Sequence, residues 1–251
     1  MFKLSQTALK DLENPSTCPL RWKGLWLDSA WESPTTEAMN KGSYFEWLVL
    51  GYGATSTMIK ELPRLKSGEK SVDQIRIEKQ AERVKEMFNP SSPTFLGFTI
   101  HAVQVELSDA HTKGTADIWV VDKEGGSWLI DLKLTKDLTS TFGQYAWGKP
   151  WEELDLIQLP HYQDLFASQY GHSPRMALFV VDYSPQMRIE FSELTISEER
   201  RATKDIRFKK GRELIDDYIK EGFPVDPSEP ECKRCKLNCE FRLPPQQLLK
   251  I

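Results

Sequence analysis

No stretch of this 251-residue chain approaches the ~18 consecutive apolar residues that a membrane-spanning helix needs. The opening Met1-Phe2-Lys3-Leu4-Ser5-Gln6 also lacks the apolar core of a signal peptide. Both absences lead to the expectation of a cytoplasmic protein with no membrane partner. An excess of basic charge is missing as well. Lys and Arg number 33 against 37 Asp and Glu, a formal net charge of −4, which argues against a protein that coats nucleic acid nonspecifically, since such proteins carry a strongly basic footprint. Neither a Gly-x-Gly-x-x-Gly turn nor a Walker loop occurs, so any ATP-driven step would have to come from a partner. Internal repeats and low-complexity tracts are absent, and the chain has only four cysteines and four histidines.

What is present suffices for a folded core. With 39% hydrophobic and 28% charged residues, the chain can bury one good core and a small appended subdomain. Ser5 reads as the cap of a short helix that ends before Asn14-Pro15. A second helix runs from about Thr36 to Tyr52, with Phe45, Leu48 and Val49 inward and Glu46 riding on it. A charged helix from about Val72 to Phe88 follows, then strands near Phe98–Leu107, Ala116–Val121 and Ser127–Leu134. After a long connection come a helix over Leu159–Tyr170, a strand pair over Met176–Tyr183 and Met187–Leu194, and a last helix over Glu198–Glu221. This order predicts an α/β fold with a central mixed sheet flanked by helices.

The most informative residues are Asp117, Asp131 and Lys133. Apolar runs on either side of Asp122-Lys123-Glu124-Gly125-Gly126 predict a β-hairpin. If the turn centres near Glu124 and Gly125, residue numbers across the pair sum to about 249, so Asp117 falls opposite Asp131 or Leu132. Asp131 and Lys133 differ by two and point to the same face. Like charges facing each other on a sheet are destabilising unless a cation or a raised pKa relieves them. A divalent ion is the economical relief, and carboxylates with the Leu132 carbonyl between them suit Mg²⁺ or Mn²⁺.

The order Gly42-Ser43-Tyr44-Phe45-Glu46, Gly114-Thr115-Ala116-Asp117, Asp131-Leu132-Lys133 and Gln158-Leu159-Pro160-His161-Tyr162 resembles the RecB-like branch of the PD-(D/E)XK nucleases. That branch includes AddB-type, lambda-type exonuclease and CRISPR adaptation nucleases. The resemblance covers nearly the whole chain and implies a restriction-endonuclease-like sheet. It also implies a helix acid, Glu46, beside the metal-binding hairpin, where some relatives carry His. Gln158 and Tyr162, four apart and so on one helix face, would position the nucleic-acid backbone and the catalytic Lys133. Pro160 is tolerable only near the start of that helix, which places Gln158 at its N-terminal end, where backbone donors favour a phosphate. Glu106, one strand earlier, is an acid of a kind relatives often show.

The cysteines fall as Cys18, followed by Cys18-Pro19, and a distant cluster of Cys232, Cys235 and Cys239. A cytoplasmic Cys-x-x-Cys is better suited to metal than to disulfides, and four thiolates accept either a 4Fe-4S cluster or zinc. The resemblance favours iron-sulfur, although three residues between Cys235 and Cys239 is a shorter gap than relatives usually have. Either centre would tie residues 1–30 and 222–251 into a four-cysteine subdomain beside a nuclease core of 31–221, the whole forming a single PD-(D/E)XK domain.

The expected activity is metal-assisted hydrolysis of DNA, single-stranded or at its ends, in recombination, repair or phage DNA metabolism. A helicase, a recombinase or another repair protein would be the partner, and a homo-oligomer is compatible with it. The alternatives are a CRISPR-type spacer-processing nuclease and a catalytically silent DNA-binding or assembly module that kept the fold. Local basic residues such as Arg200, Arg201, Lys204, Arg207, Lys209, Lys210 and Arg212 offer a DNA contact, or simply a solvated face. Phe142, Tyr145, Trp147 and Trp151 in the long connection either stack bases or anchor that connection on the core. The four histidines are read as ordinary.

Overall fold

Strand Ser127–Thr135 explains most of the architecture, because it is apolar on both sides: Trp128, Leu129, Ile130 and Leu132 are all buried. A strand of this kind needs a layer on each face. In the computed structural model both layers are there, within the described residues 2–31, 35–51, 59–88, 97–142 and 146–224. The elements in chain order are β1 (Leu4–Ser5), α1 (Gln6–Glu13), α2 (Pro19–Trp22), a π-helical turn (Lys23–Leu27), α3 (Glu37–Leu50), α4 (Val72–Met87), β2 (Thr99–Ser108), β3 (Thr112–Val121), β4 (Ser127–Thr135), a 3-10 turn (Trp151–Glu153), α5 (Gln158–Tyr170), β5 (Arg175–Asp182), β6 (Ile189–Leu194) and α6 (Glu198–Glu221).

The chain divides into two compact units, one of Met1–Pro34, Ala110–Thr112 and Ala202–Ile251, the other of Thr35–Asp109 and Lys113–Arg201. The second holds a mixed sheet. β2, β3 and β4 pair antiparallel, β4 and β5 parallel, and β5 and β6 antiparallel. A parallel pair cannot be joined by a tight turn, and the long connection with α5 makes the crossover. Phe45 of α3, Ile77 and Val84 of α4, and Ile118, Ile130, Leu132 and Phe179 of the sheet form one apolar layer. Leu159 and Phe166 of α5 pack with Leu129, Leu178 and Val180 on the other side. Burying a side chain of this size is worth about 1.5–3 kcal/mol, so the sheet is fixed chiefly by what covers its two faces.

The helices begin where capping chemistry allows. Ser71 accepts the Gln74 N–H at 3.1 Å ahead of α4, and Thr36 accepts the Met39 N–H at 3.2 Å ahead of α3. α5 starts at Gln158, so Pro160 lies in its first turn, where its missing N–H costs no helical bond.

In the first unit Ser5 caps α1 through the Ala8 N–H at 3.2 Å, and Leu4 donates to the His111 carbonyl at 2.9 Å. The buried Trp22 indole donates to the Ala8 carbonyl at 2.8 Å, and Arg207 of α6 pairs with Glu13 at 2.8 Å. Cys18 is a partly exposed free thiol at the start of α2. Cys232, Cys235 and Cys239 lie outside the described residues. No helix among the described residues is long and apolar enough to cross a membrane.

Candidate active site

The hairpin turn sets the register on which the site depends. Asp122 accepts the Gly126 N–H at 2.6 Å, the Glu124 N–H at 3.1 Å and the Trp128 indole N–H at 2.8 Å, and Gly125 takes a φ of 84°. A φ in that region is strained for residues with a Cβ and free for glycine. The turn is therefore centred on Glu124, and the pairs Ile118↔Ile130 and Trp119↔Leu129 sum to 248 rather than 249. Carried one residue further, that numbering would set Asp117 against Asp131, but the ladder itself ends at Ile118↔Ile130.

The β3–β4 ladder stops at Ile118↔Ile130, because the sheet is disturbed one residue further on. In β2, Gln104 has a φ of 49°, and the alternation of faces breaks on both strands. Val103 and Ile118 pack in the α3/α4 layer, whereas Val105 and Ala116, two residues along, pack in the α5 layer. A side chain then does the work of a backbone partner: Asp117 Oδ2 accepts the Leu132 N–H at 2.8 Å. The N–H and C=O of one strand residue point to the same edge, so the Leu132 carbonyl faces this opening too.

Lys133 joins the acids. Its Nζ lies 2.8 Å from Asp131 Oδ2 and 3.9 Å from Asp117 Oδ2. Asp131 is 4% exposed and also accepts from the Gln158 amide at 3.1 Å. Glu46, on α3, is half-buried and feels the charges of Asp117, Lys133 and Asp131. Burial first, and Asp117 and Asp131 second, push its carboxyl up to about 8. Burial, with Asp131 adding to it, pushes Asp117 up to about 6, against the pull of Lys133 and of hydrogen bonds from the Leu132 N–H and the Gln104 side chain. For Lys133, burial works against the ammonium, but Asp131 and Asp117 outweigh it and hold the group well above its usual range. Burial and the same two aspartates keep the Tyr162 phenol protonated.

Tyr162 owes its place to Gly114: a Cβ there would sit 2.6 Å from Tyr162 Cε1. The neighbouring His161 is buried, with Nε2 3.1 Å from the Lys113 carbonyl, which fixes the first turn of α5 over the start of β3.

Thus Asp117, Asp131, Lys133 and Gln158 are in hydrogen-bond or ion-pair contact, while Glu46 and Tyr162 stand within their field. Gln104 was not singled out in the sequence. The available signal is its position, since Val103↔Ile118 and Val105↔Ala116 leave it facing Asp117. Glu106 is exposed, and its backbone carbonyl accepts from Gln169 at 3.5 Å.

Among the described residues no group of three or more His, Cys, Asp or Glu closes a metal site by itself. Two carboxylates that hold protons well above their ordinary range nevertheless signal unmet negative charge, and carboxylate and carbonyl donors suit a hard divalent cation.

The model of the PD-(D/E)XK nuclease superfamily matches residues 3–240. The chain belongs to the PD-(D/E)XK nuclease superfamily. Its central mixed sheet flanked by helices is consistent with the restriction-endonuclease-like fold, its activity class is nuclease, and members of the superfamily generally use divalent metals such as Mg²⁺ or Mn²⁺. A crystal structure of a candidate exonuclease from Eubacterium rectale superposes with a TM-score of 0.60 at 16% identity, covering 95% of this chain and 90% of that one. A likeness at that identity speaks to fold. The structure of SSO0001 reaches a TM-score of 0.36 at 16% identity, over 84% of this nuclease and 76% of that chain, and carries no argument. No curated protein matches the chain.

The other sequence candidates sort by their contacts. Trp147 and Trp151 pack against the α5 layer, and the Arg200 guanidinium lies 4.8 Å from the Trp151 ring centre, so these tryptophans anchor the connection. Arg201 pairs with Asp164 and Gln163, Lys204 with Asp205 at 2.7 Å, and Lys209 with Glu213 at 3.9 Å. Most of the basic residues of α6 are therefore committed locally. Tyr145 lies outside the described residues.

Proposed function

We propose that this chain is a divalent-metal-dependent deoxyribonuclease, an exonuclease acting on single strands or DNA ends in recombination, repair or phage DNA metabolism. The observation that carries the reading is the convergence of Asp117 and Asp131 on the Lys133 ammonium where the β3–β4 ladder opens. Asp117, Asp131 and the Leu132 carbonyl, with Glu46, would hold Mg²⁺ or Mn²⁺, which when bound supplies a Lewis acid for the phosphate and a more acidic water.

The chain's own groups define the rest. Lys133 stays an ammonium beside two carboxylates, so it donates hydrogen bonds to the attacking water and offsets charge on the phosphate. Gln158 holds Asp131 in its rotamer from the first turn of α5. The protonated Tyr162 phenol is a donor for a phosphate oxygen. No covalent intermediate is needed. Motif order supports the RecB/AddB-like branch, and the likeness to the candidate exonuclease agrees with end-directed cleavage. Cys18, with Cys232, Cys235 and Cys239, would hold a structural 4Fe-4S cluster, with zinc as the alternative.

The test is cleavage of end-labelled linear DNA and of circular DNA with Mn²⁺. Asp131→Ala and Lys133→Ala should each lose about a hundredfold or more. Wild-type protein that leaves both substrates intact, or variants that cut as well as wild type, would reject the proposal. Metal analysis of the purified protein separates iron from zinc.

A further inference from the structure

At the C-terminal ends of the parallel strands β4 and β5, the edge where open α/β sheets tend to bind ligands, lies a cleft of about 470 Å³. Its rim begins at Thr135, two residues beyond Lys133 on β4 and on the same face, so about 7 Å of strand separates the two. The volume is that of a small-ligand pocket.

The charged groups lining the cleft differ in what already holds them. Its two carboxylates are already engaged: Asp73 by Lys41 at 2.7 Å, which also holds Glu37, and Asp137 by Arg188 at 2.8 Å, which also holds Asp182. Its two cations, Arg76 of α4 and Lys136 just past β4, have no hydrogen bond or ion pair among the described residues. In a chain with a net charge of −4, two unpaired cations on one cleft favour an anionic ligand.

The third component is Phe142, which also lines the cleft and is 86% exposed. Its neighbours in the connection, Trp147 and Trp151, are packed against the core, so exposure here is not general to the segment. The turn leading to it is held in place. The Asp137 carboxylate accepts the Thr139 N–H at 2.8 Å and the Thr139 hydroxyl at 2.7 Å, while the Ser140 hydroxyl donates to the Phe142 carbonyl at 3.2 Å. An aromatic face beside two free cations has the chemistry of single-strand binding, in which a base stacks and the backbone phosphate is neutralised.

We infer that this cleft seats one nucleotide of a single-stranded nucleic-acid segment next to the cleavage centre, the base on Phe142 and its phosphate between Arg76 and Lys136. The inference rests on the nuclease reading for the identity of the ligand, and it adds that the substrate is gripped as an unpaired strand.

The experiment titrates a fluorescein-labelled 12-nucleotide single-stranded DNA, and a blunt duplex of the same sequence, into the full chain with Ca²⁺ in place of Mn²⁺. Anisotropy is read at several salt concentrations, and cleavage with Mn²⁺ is measured in parallel. Phe142→Ala should weaken single-strand binding about tenfold with the salt slope unchanged, because stacking releases no counterion. Arg76→Ala should weaken it and reduce the slope of log K against log salt by about 0.7, and adding Lys136→Ala should reduce it by about as much again. The duplex should respond less to Phe142→Ala. Melting temperatures check that the variants stay folded, which the exposure of Phe142 favours.

Variants that bind the single strand as wild type does, while wild type cleaves and Lys133→Ala does not, overturn the cleft assignment and leave the nuclease reading standing. Equal losses for duplex and single strand with Phe142→Ala also overturn it. A wild-type chain that neither binds nor cuts DNA removes the nuclease reading itself, and this inference with it.

Discussion

Glu46→Gln probes how much the crowded acids cost the metal-free fold. The Glu46 carboxyl, ordinarily near 4.5, is pushed up to about 8 by burial and by Asp117 and Asp131. The folded state therefore binds a proton that the unfolded chain has already released. Stability is full below pH ~4.5 and is lost as pH rises towards 8, since ∂ΔG/∂pH is negative wherever the folded state holds more protons. Asp117, pushed up to about 6, adds a loss that is complete by about pH 6. At 1.36 kcal/mol per pH unit, the Glu46 contribution would reach ~5 kcal/mol for a group sealed from water. Glu46 is only half-buried, and solvent screening brings our expectation to about 2–4 kcal/mol, or roughly 5–15 °C in melting temperature for a chain of this size. In a chelator-treated sample, the wild-type melting temperature should fall between pH 5 and 8. In Glu46→Gln the fall should end near pH 6, leaving the variant more stable than wild type at pH 8. Added Mn²⁺, binding only the folded state, should raise the wild-type melting temperature most at pH 8. Identical pH profiles for wild type and Glu46→Gln would refute the assignment of Glu46 to this cluster.

The remaining expectations concern the groups that position the site. Gln104→Gly removes a left-handed non-glycine residue, relieving about 1 kcal/mol or more of strain, yet deprives Asp117 of a donor; it should raise the melting temperature while lowering kcat several-fold, a split that a purely structural residue would not give. Gly114→Ala places a methyl 2.6 Å from the Tyr162 ring, so a loss of about 1–3 kcal/mol together with weaker cleavage is expected from denaturation and activity assays. Asp182 is fully buried and accepts from the Ser184 hydroxyl, the Arg188 N–H and guanidinium and the Leu138 N–H. Burial opposes its ionisation, but these donors outweigh it and hold the carboxyl below its usual range. Its contribution is present above the unfolded value of ~3.9 and disappears as pH falls through the folded one. Asp182→Asn should cost about 2–4 kcal/mol at pH 7 and flatten the acid limb of the urea-denaturation profile below pH 4.

Periodicity and punctuation carried far in this chain, because its elements are long and their boundaries are chemical. Helix α6 occupies Glu198–Glu221, α5 starts within a residue of where Pro160 demands, and the two apolar faces of β4 require the layers found on either side of it. The shorter features had no such signal. The two-residue β1, the four-residue α2 and the π-helical turn after it are too short for any period to register, and they are held by tertiary contacts such as the Trp22 indole on the Ala8 carbonyl. The site shows the same division at closer range. That Asp131 and Lys133 share one face follows from alternation alone, whereas the opening beside them, where alternation breaks at Asp117, does not. It depends on Gln104 adopting a backbone conformation that its residue type disfavours, and so on tertiary packing overriding local preference. Once β2 and β3 switch faces at that step, the Leu132 N–H loses its place in the ladder, and the carboxylate of Asp117 is the group that replaces it. An unbroken β3–β4 ladder would have closed the edge onto which Leu132, Asp131 and Lys133 now open. On the proposed reading, the break in the sheet is therefore what opens the two aspartates and Lys133 to a phosphate.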